Sequence, residues 1–172
     1  MITLNQYITT ALFTLPDSLV QFKSLIKQKD IELKLQFNPH QSVSGLLKEK
    51  SDFIDLILNC CWEHFLGVYA NQLSLCAVGG YGRRELFPQS DIDIIILLDS
   101  EERAIYQEAL SNFFSFLWDI GLKPGHSVRT VNECVNEAIN DQTIMTSLME
   151  FNLIAGNESL YEALKLRITP DK

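Results

Sequence analysis

The sequence predicts an α+β fold of mixed α/β type, in which a short mixed sheet carries packed helices, and three observations predict it. Residues 92–98, Ile-Asp-Ile-Ile-Ile-Leu-Leu, are β-branched and almost wholly apolar, the composition of a central strand buried on both faces. Leu73-Ser74-Leu75-Cys76-Ala77-Val78 reads as a second strand that stops where Gly79-Gly80 begins. Around these two runs, apolar residues recur at helical spacing.

Taken in chain order, the first helix is expected after Pro16-Asp17, with Leu19, Phe22, Leu25-Ile26 and Lys29 at helical spacing, and is expected to end before Asn38-Pro39. Ser51 reads as the N-cap of an apolar helix from Phe53 to about Gly67, with Asp52 and Asp55 in its first turn. Asp99 and Glu102 read as a capping box for a helix that presents Ile105, Ala109, Phe113, Phe116 and Leu117 inward and closes at Gly121. Pro124 to Arg129 is a short strand. Thr130 and Glu133 form a second capping box, opening a helix to about Asn140, and a last helix covers about Leu160 to Leu166. No repeat or low-complexity tract interrupts this order. The simplest division is a helical amino-terminal extension over residues 1–50 and a main domain over 51–172.

Composition narrows the function. At 172 residues, 47% apolar and 21% charged, the chain has the make-up of a globular domain with a sizeable core. A formal charge of −8, with fourteen scattered basic residues, argues against a nucleic-acid groove. Four cysteines, two of them adjacent at Cys60 and Cys61, make neither a disulfide framework nor a CxxC metal site, so buried thiols are expected. Charged residues or asparagine interrupt every hydrophobic stretch, so no membrane association and a cytoplasmic location are expected.

The chemistry concentrates in Ala77-Val78-Gly79-Gly80-Tyr81-Gly82-Arg83-Arg84-Glu85-Leu86-Phe87-Pro88-Gln89-Ser90-Asp91-Ile92-Asp93. A strand sends alternate side chains to one face, so Asp91 and Asp93 share a face while Ile92, Ile94 and Ile96 take the other. Two carboxylates that close repel each other unless a cation neutralises them, and oxygen-only ligation suits Mg2+ or Mn2+ rather than zinc. Consecutive glycines let the backbone pass close to a bulky anion, with amides free to cradle phosphate. Arg83 and Arg84 add fixed charge and bidentate donors for a triphosphate. Neither G-x-x-x-x-G-K-[ST] nor a complete G-x-G-x-x-G is present. The pattern points to metal-assisted chemistry on a nucleoside triphosphate.

GG-Y-G-R-x-E-L-x-P-x-S-D-x-D resembles the signature of the polymerase-beta-type nucleotidyltransferases, and in this extended form the PII uridylyltransferase/uridylyl-removing branch of that family. Ser51-Asp52-Phe53-Ile54-Asp55, Gly125-His126-Ser127-Val128-Arg129-Thr130, Glu133-Cys134 and the segment from Asp141 to Gly156 carry the resemblance to roughly residues 38–165. It implies a polymerase-beta-like fold for residues 51–172 and transfer of uridylate from UTP to a tyrosine of a PII-type nitrogen-signalling protein, with release of pyrophosphate. It also implies Mg2+ or Mn2+ on Asp91 and Asp93, and nucleotide bound by Gly79, Gly80, Arg83 and Ser90. A third catalytic carboxylate is expected at Glu150. Two positions depart from the family pattern: Asn152 stands where arginine is expected and Asn157 where an acid often follows Gly156. The position of Arg84 is frequently glycine in the family, which favours Arg83 as the phosphate ligand. No His-Asp dipeptide occurs in the 172 residues, so the uridylyl-removing and glutamine-sensing parts of such enzymes are not expected in this chain.

Two alternatives stay open at this point. One is a different nucleotidyltransferase, of adenylyl-transferring or toxin-antitoxin type. The other is a nucleotide-binding regulatory module with weakened chemistry. His126 and Arg129 fit either nucleotide contact or a structural role. Tyr81 reads as a loop anchor, and His40 and His64 have no partner at metal-ligand spacing.

Overall fold

The computed structural model describes residues 11–169, so residues 1–10 of the expected extension lie outside the described residues. Four strands form one sheet: β1 (Leu73–Ala77), β2 (Ile92–Leu98), β3 (Pro124–Thr130) and β4 (Asn152–Gly156), in the order β3-β2-β1-β4. β1 runs antiparallel to β2 and β4, whereas β2 and β3 are parallel, so the sheet is mixed as the sequence predicts. The parallel pair requires a crossover, which a helix over Gln107–Asp119 supplies.

Seven α-helices surround this sheet among the described residues: α1 (Ser18–Gln36), α2 (Ser44–Leu66), α3 (Gly79–Gly82, a single turn), α4 (Gln107–Asp119), α5 (Val131–Asn140), α6 (Gln142–Met149) and α7 (Glu158–Ile168). β2 sorts them into two layers. Ile92, Ile94, Ile96 and Leu98 pack with Trp62, Leu66, Phe113 and Leu117 of α2 and α4, and Phe22 of α1 joins this cluster. Ile95 and Leu97 pack on the other face with Cys134, Leu148 and Leu164 of α5, α6 and α7. A strand with both faces covered has no use for a polar side chain along its length, and Asp93, near its first residue, is the one polar exception.

Two expected helix starts differ from those observed. Ser51 is not an N-cap: α2 begins at Ser44, and the Ser51 hydroxyl is buried and donates to the Leu47 carbonyl at 2.9 Å. A serine that bonds back one turn in this way is satisfied inside a helix, so its capping chemistry is not used. α2 therefore runs unbroken through residues 50 and 51. Asp99 and Glu102 form no capping box. A 3-10 turn over Arg103–Tyr106 precedes α4, Asp99 accepts the Tyr106 hydroxyl at 3.0 Å, and Ile105 is 55% exposed rather than inward.

The Thr130–Glu133 capping box is present as expected: the Glu133 amide donates to Thr130 Oγ1 at 3.3 Å and the Thr130 amide to Glu133 Oε2 at 2.8 Å. Thr130→Ala is expected to cost about 1 kcal/mol. That lowers Tm by roughly 2–4 °C in a thermal melt followed by circular dichroism. An unchanged Tm would show that the box contributes nothing. All four cysteines are buried and none forms a disulfide; burial pushes the Cys134 thiol up to about 12 and raises those of Cys61 and Cys76 as well, which disfavours the thiolate at these three. No helix of the described residues is long and apolar enough to cross a membrane.

Candidate active site

The strand directions bring one end of the sheet to a common rim. The starts of β2 and β3 lie beside the end of β1 and the start of β4, so Gly125, Asp93, Gly79 and Glu150 follow one another across it. Asp93 shares its face with Ile95 and Leu97, on the α5–α6–α7 side, and Asp91 stands just before the strand. Burial pushes the Asp93 carboxyl above its ordinary range, and the negative charge of Asp91 pushes it further the same way. Gly125 is the register partner of Asp93 on β3, and a Cβ there would meet Asp93 Oδ1 at 2.5 Å. Glycine thus leaves the room that the carboxylate occupies.

The signature run turns helical at once after β1. The amides of Gly82 and Arg83 donate to the carbonyls of Val78 (3.1 Å) and Gly79 (3.0 Å), and Gly79 itself has φ 56. A single helical turn leaves its leading amides, those of Gly79 and Gly80, without an intrahelical acceptor. The Val78 amide donates to the Asp93 carbonyl at 3.0 Å, which fixes the turn beside the aspartate pair. Ser90 is exposed immediately ahead of Asp91, its amide closing a turn onto the Phe87 carbonyl at 3.1 Å.

Glu150 terminates α6 and meets Arg83 rather than the two aspartates: Arg83 Nη1 lies 2.5 Å from Glu150 Oε2, and Arg83 Nε lies 3.0 Å from Glu85 Oε2. Among the described residues no three acidic, histidine or cysteine side chains gather where they would hold one ion. Asn152, at the position where the family pattern has arginine, donates from Nδ2 to the Gly82 carbonyl and so ties β4 to the glycine turn. Gly82 is there for proximity, since a Cβ on it would collide with the backbone of Glu150. Asn157, the second departure, caps α7 by accepting the Ser159 amide at 2.8 Å.

Between the glycine turn and α6 lies a polar cleft of about 350 Å³, with Gly79 and Arg83 on one wall and Gln142, Thr143, Thr146 and Ser147 on the other. Residues 143, 146 and 147 stand at i, i+3 and i+4, one helical face, and that spacing is the signal a sequence reading could have used. A larger cleft of about 530 Å³ lies between α1, α2 and Leu86–Gln89. Its lining is chiefly aliphatic and aromatic, whereas the smaller cleft is bordered by Gly79 and Arg83 of the glycine turn; Asp91 and Asp93 line neither.

The remaining candidates sort by face. His126 pairs in register with Ile94, away from Asp93, and stacks on Phe114 with ring centroids 3.8 Å apart. Arg129 is engaged by Glu137 at 2.6 Å. Arg84 turns back to α2, where Nη1 lies 2.7 Å from Asp55 Oδ2 and Nη2 meets Asp52. The buried Tyr81 hydroxyl donates to Asp55 Oδ1 at 2.5 Å, which makes it the loop anchor expected of it. Burial pushes the Asp55 carboxyl up, and the Tyr81 hydroxyl and Arg84 oppose that shift. Asp52 is held below the ordinary range: burial acts against ionisation, but hydrogen bonds from Lys48 and Arg84 outweigh it.

Residues 62–146 match the nucleotidyltransferase domain family. Over 156 residues, 91% of the chain, the sequence is 42% identical to the bifunctional uridylyltransferase/uridylyl-removing enzyme of Methylococcus capsulatus. It is 43% identical over 143 residues, 83% of the chain, to the enzyme of the same name from Pseudomonas fluorescens SBW25. The matches cover 18% and 16% of those relatives, so the chain spans under a fifth of their length. With a mixed four-stranded sheet, a glycine turn after its first strand and an aspartate pair opening the second, the chain carries a nucleotidyltransferase domain that fits the polymerase-beta-like fold, and its relatives are uridylyltransferase/uridylyl-removing enzymes.

Proposed function

We propose that this domain transfers uridylate from UTP to a tyrosine hydroxyl of a PII-type signalling protein in the cytoplasm. The acceptor oxygen forms a bond to the α-phosphorus, the bond from that phosphorus to the bridging oxygen breaks, and pyrophosphate leaves with the electron pair. The hydroxyl proton passes to solvent. One observation carries the reading: the Asp91–Asp93 pair, the Gly79–Gly80 amides and Arg83 share one rim of the sheet beside a polar cleft. The choice of uridylate and of a PII-type acceptor rests on the names of the relatives and on the family resemblance.

Asp91 and Asp93 fit a hard divalent cation, Mg2+ or Mn2+. Their donors are all oxygen, and burial, with the negative charge of Asp91 added to it, raises the Asp93 carboxyl, a shift that a bound cation would oppose. When bound, the cation neutralises phosphate charge and makes the attacking hydroxyl more acidic. The chain's own groups do the holding. Gly79, Gly80 and Ser90 receive the phosphates through the backbone and hydroxyl, and Arg83 supplies a fixed positive charge. Glu150 orients Arg83 through their ion pair. That pair also favours a second reading, a nucleotide-binding domain with weakened turnover, because the third carboxylate is already engaged.

Incubation with Mg2+, a PII protein and labelled UTP, ATP, CTP or GTP in parallel tests the proposal. Label from UTP is expected in PII, with one pyrophosphate released per uridylate. Preferential transfer from ATP would identify an adenylyl-transferring enzyme instead. Binding of UTP without transfer would support the weakened module.

A further inference from the structure

The signature contains two consecutive arginines, and the chemistry proposed above uses only the first. Arg84 has φ 65, a left-handed backbone that costs a residue with a Cβ about 1–2 kcal/mol and persists only where surrounding contacts over-determine it. Those contacts come from α2. The Arg84 guanidinium forks between Asp55 and Asp52, and Tyr81, three residues earlier on the same side of the turn, donates to the second oxygen of Asp55. Both oxygens of one carboxylate are thus taken by two residues of the signature. Tyr81 and Arg84 face the α2 layer, whereas Arg83 between them faces α6, where it meets Glu150 and borders the polar cleft.

A single helical turn has no length of its own to resist rotation about its axis. Its rotation decides where Arg83 and the Gly79–Gly80 amides point. We propose that Asp55 is a positioning residue for nucleotide binding: by holding Tyr81 and Arg84 against α2, it sets the glycine turn so that Arg83 faces the cleft. Asp52 serves as the outer half of the same clasp. The inference rests on the reading that Gly79 and Arg83 hold the triphosphate. It gives a task to Asp52 and Asp55, which carry part of the family resemblance but lie outside the reacting groups, and it explains how an arginine is held at a position where glycine would fit without strain.

A double-mutant cycle read by calorimetry with Mg2+–UTP, well below Tm, tests it. Asp55→Asn keeps size and an acceptor but loses the charge. It is expected to raise the UTP dissociation constant about 10-fold, with the circular dichroism spectrum unchanged. Arg83→Ala is expected to do the same, and the two together to add little, because both act through one guanidinium. Arg84→Lys, which cannot fork between two carboxylates, should reproduce the Asp55→Asn shift even if the latter folds poorly. A purely structural clasp would lower Tm and leave UTP affinity alone. Unchanged affinity in both Asp55→Asn and Arg84→Lys, or full additivity with Arg83→Ala, overturns the proposal. A wild-type protein that binds no nucleotide would instead overturn the reading of the site itself, and this inference with it.

Discussion

Asp93→Asn is expected to lower nucleotidyl transfer by about 10³-fold or more while raising the stability of the metal-free protein. The loss follows from removing one of the two charged oxygen ligands proposed for the cation, since metal-assisted charge stabilisation is worth several kcal/mol and each ~1.4 kcal/mol is tenfold in rate. The gain follows from the sign of the shift. Burial and the charge of Asp91 hold the Asp93 carboxyl above its ordinary range, so the folded protein binds that proton more tightly than the unfolded chain does. This contribution to stability is full below the ordinary aspartate value and is lost as pH rises through the raised one. At neutral pH the ionised side chain opposes folding, and the neutral amide does not. A rise in Tm of ~1–2 °C at pH 7 is expected without metal, fading as the pH falls toward 4. A differential scanning calorimetry series over pH checks the stability arm, and a quenched transfer assay the rate. A variant that loses both activity and stability would show that Asp93 is placed for folding rather than for ligation.

The second large effect is expected at Gly82. A Cβ at this position would collide with the Glu150 backbone and would also lie 3.2 Å from the Ala77 carbonyl. Both neighbours are main chain, which no rotamer change can move aside. Gly82→Ala therefore must push the glycine turn away from β4, or β4 away from β1, at a cost of about 1–3 kcal/mol. That corresponds to a Tm lower by roughly 3–10 °C. Separation of the turn from β4 also removes Asn152 from the Gly82 carbonyl and Glu150 from Arg83, so UTP affinity should fall alongside stability. Gly45, where a Cβ would meet nothing within 4 Å, is the matched control: Gly45→Ala should leave binding unchanged. Equal behaviour of the two alanine variants would show that close packing against Glu150 does not matter.

The legible parts of the molecule were those where one residue pattern serves one purpose. β2 is readable because a doubly buried strand needs seven consecutive strand-forming residues, and the only polar one, Asp93, stands at its mouth. The Thr130–Glu133 box is readable because both of its hydrogen bonds are local. Ser51 misleads because the same hydroxyl can cap a helix or bond back within one, and what decides is the packing of Leu47 and its neighbours upstream. Nothing in the residue pattern marks β4 as a strand. At this edge of the sheet Leu153, Ile154 and Ala155 are only partly buried and Asn152 and Gly156 are exposed, which dilutes the alternation that announces a strand.

The site divides in the same way. The aspartate pair and the glycine turn follow from spacing along one stretch of chain. The Arg83–Glu150 pair spans 67 residues and the Arg84–Asp55 pair 29, and such distances leave no periodic trace in the sequence. The sequence could weigh two adjacent arginines against each other, and their opposite faces then assign the first to the cleft and the second to α2. The α6 wall lay in plain view as Thr143, Thr146 and Ser147, but it acquires meaning only once α6 is known to face Gly79 and Arg83.

The central claim is that Asp91 and Asp93 hold a divalent cation against a nucleoside triphosphate on this rim. Titration calorimetry with UTP, with and without Mg2+, on the wild-type protein and on Asp91→Asn/Asp93→Asn tests it most directly. The account predicts wild-type binding that strengthens at least about 10-fold with Mg2+, a gain that the double variant loses. Nucleotide affinity indifferent to both the cation and the two substitutions would contradict it.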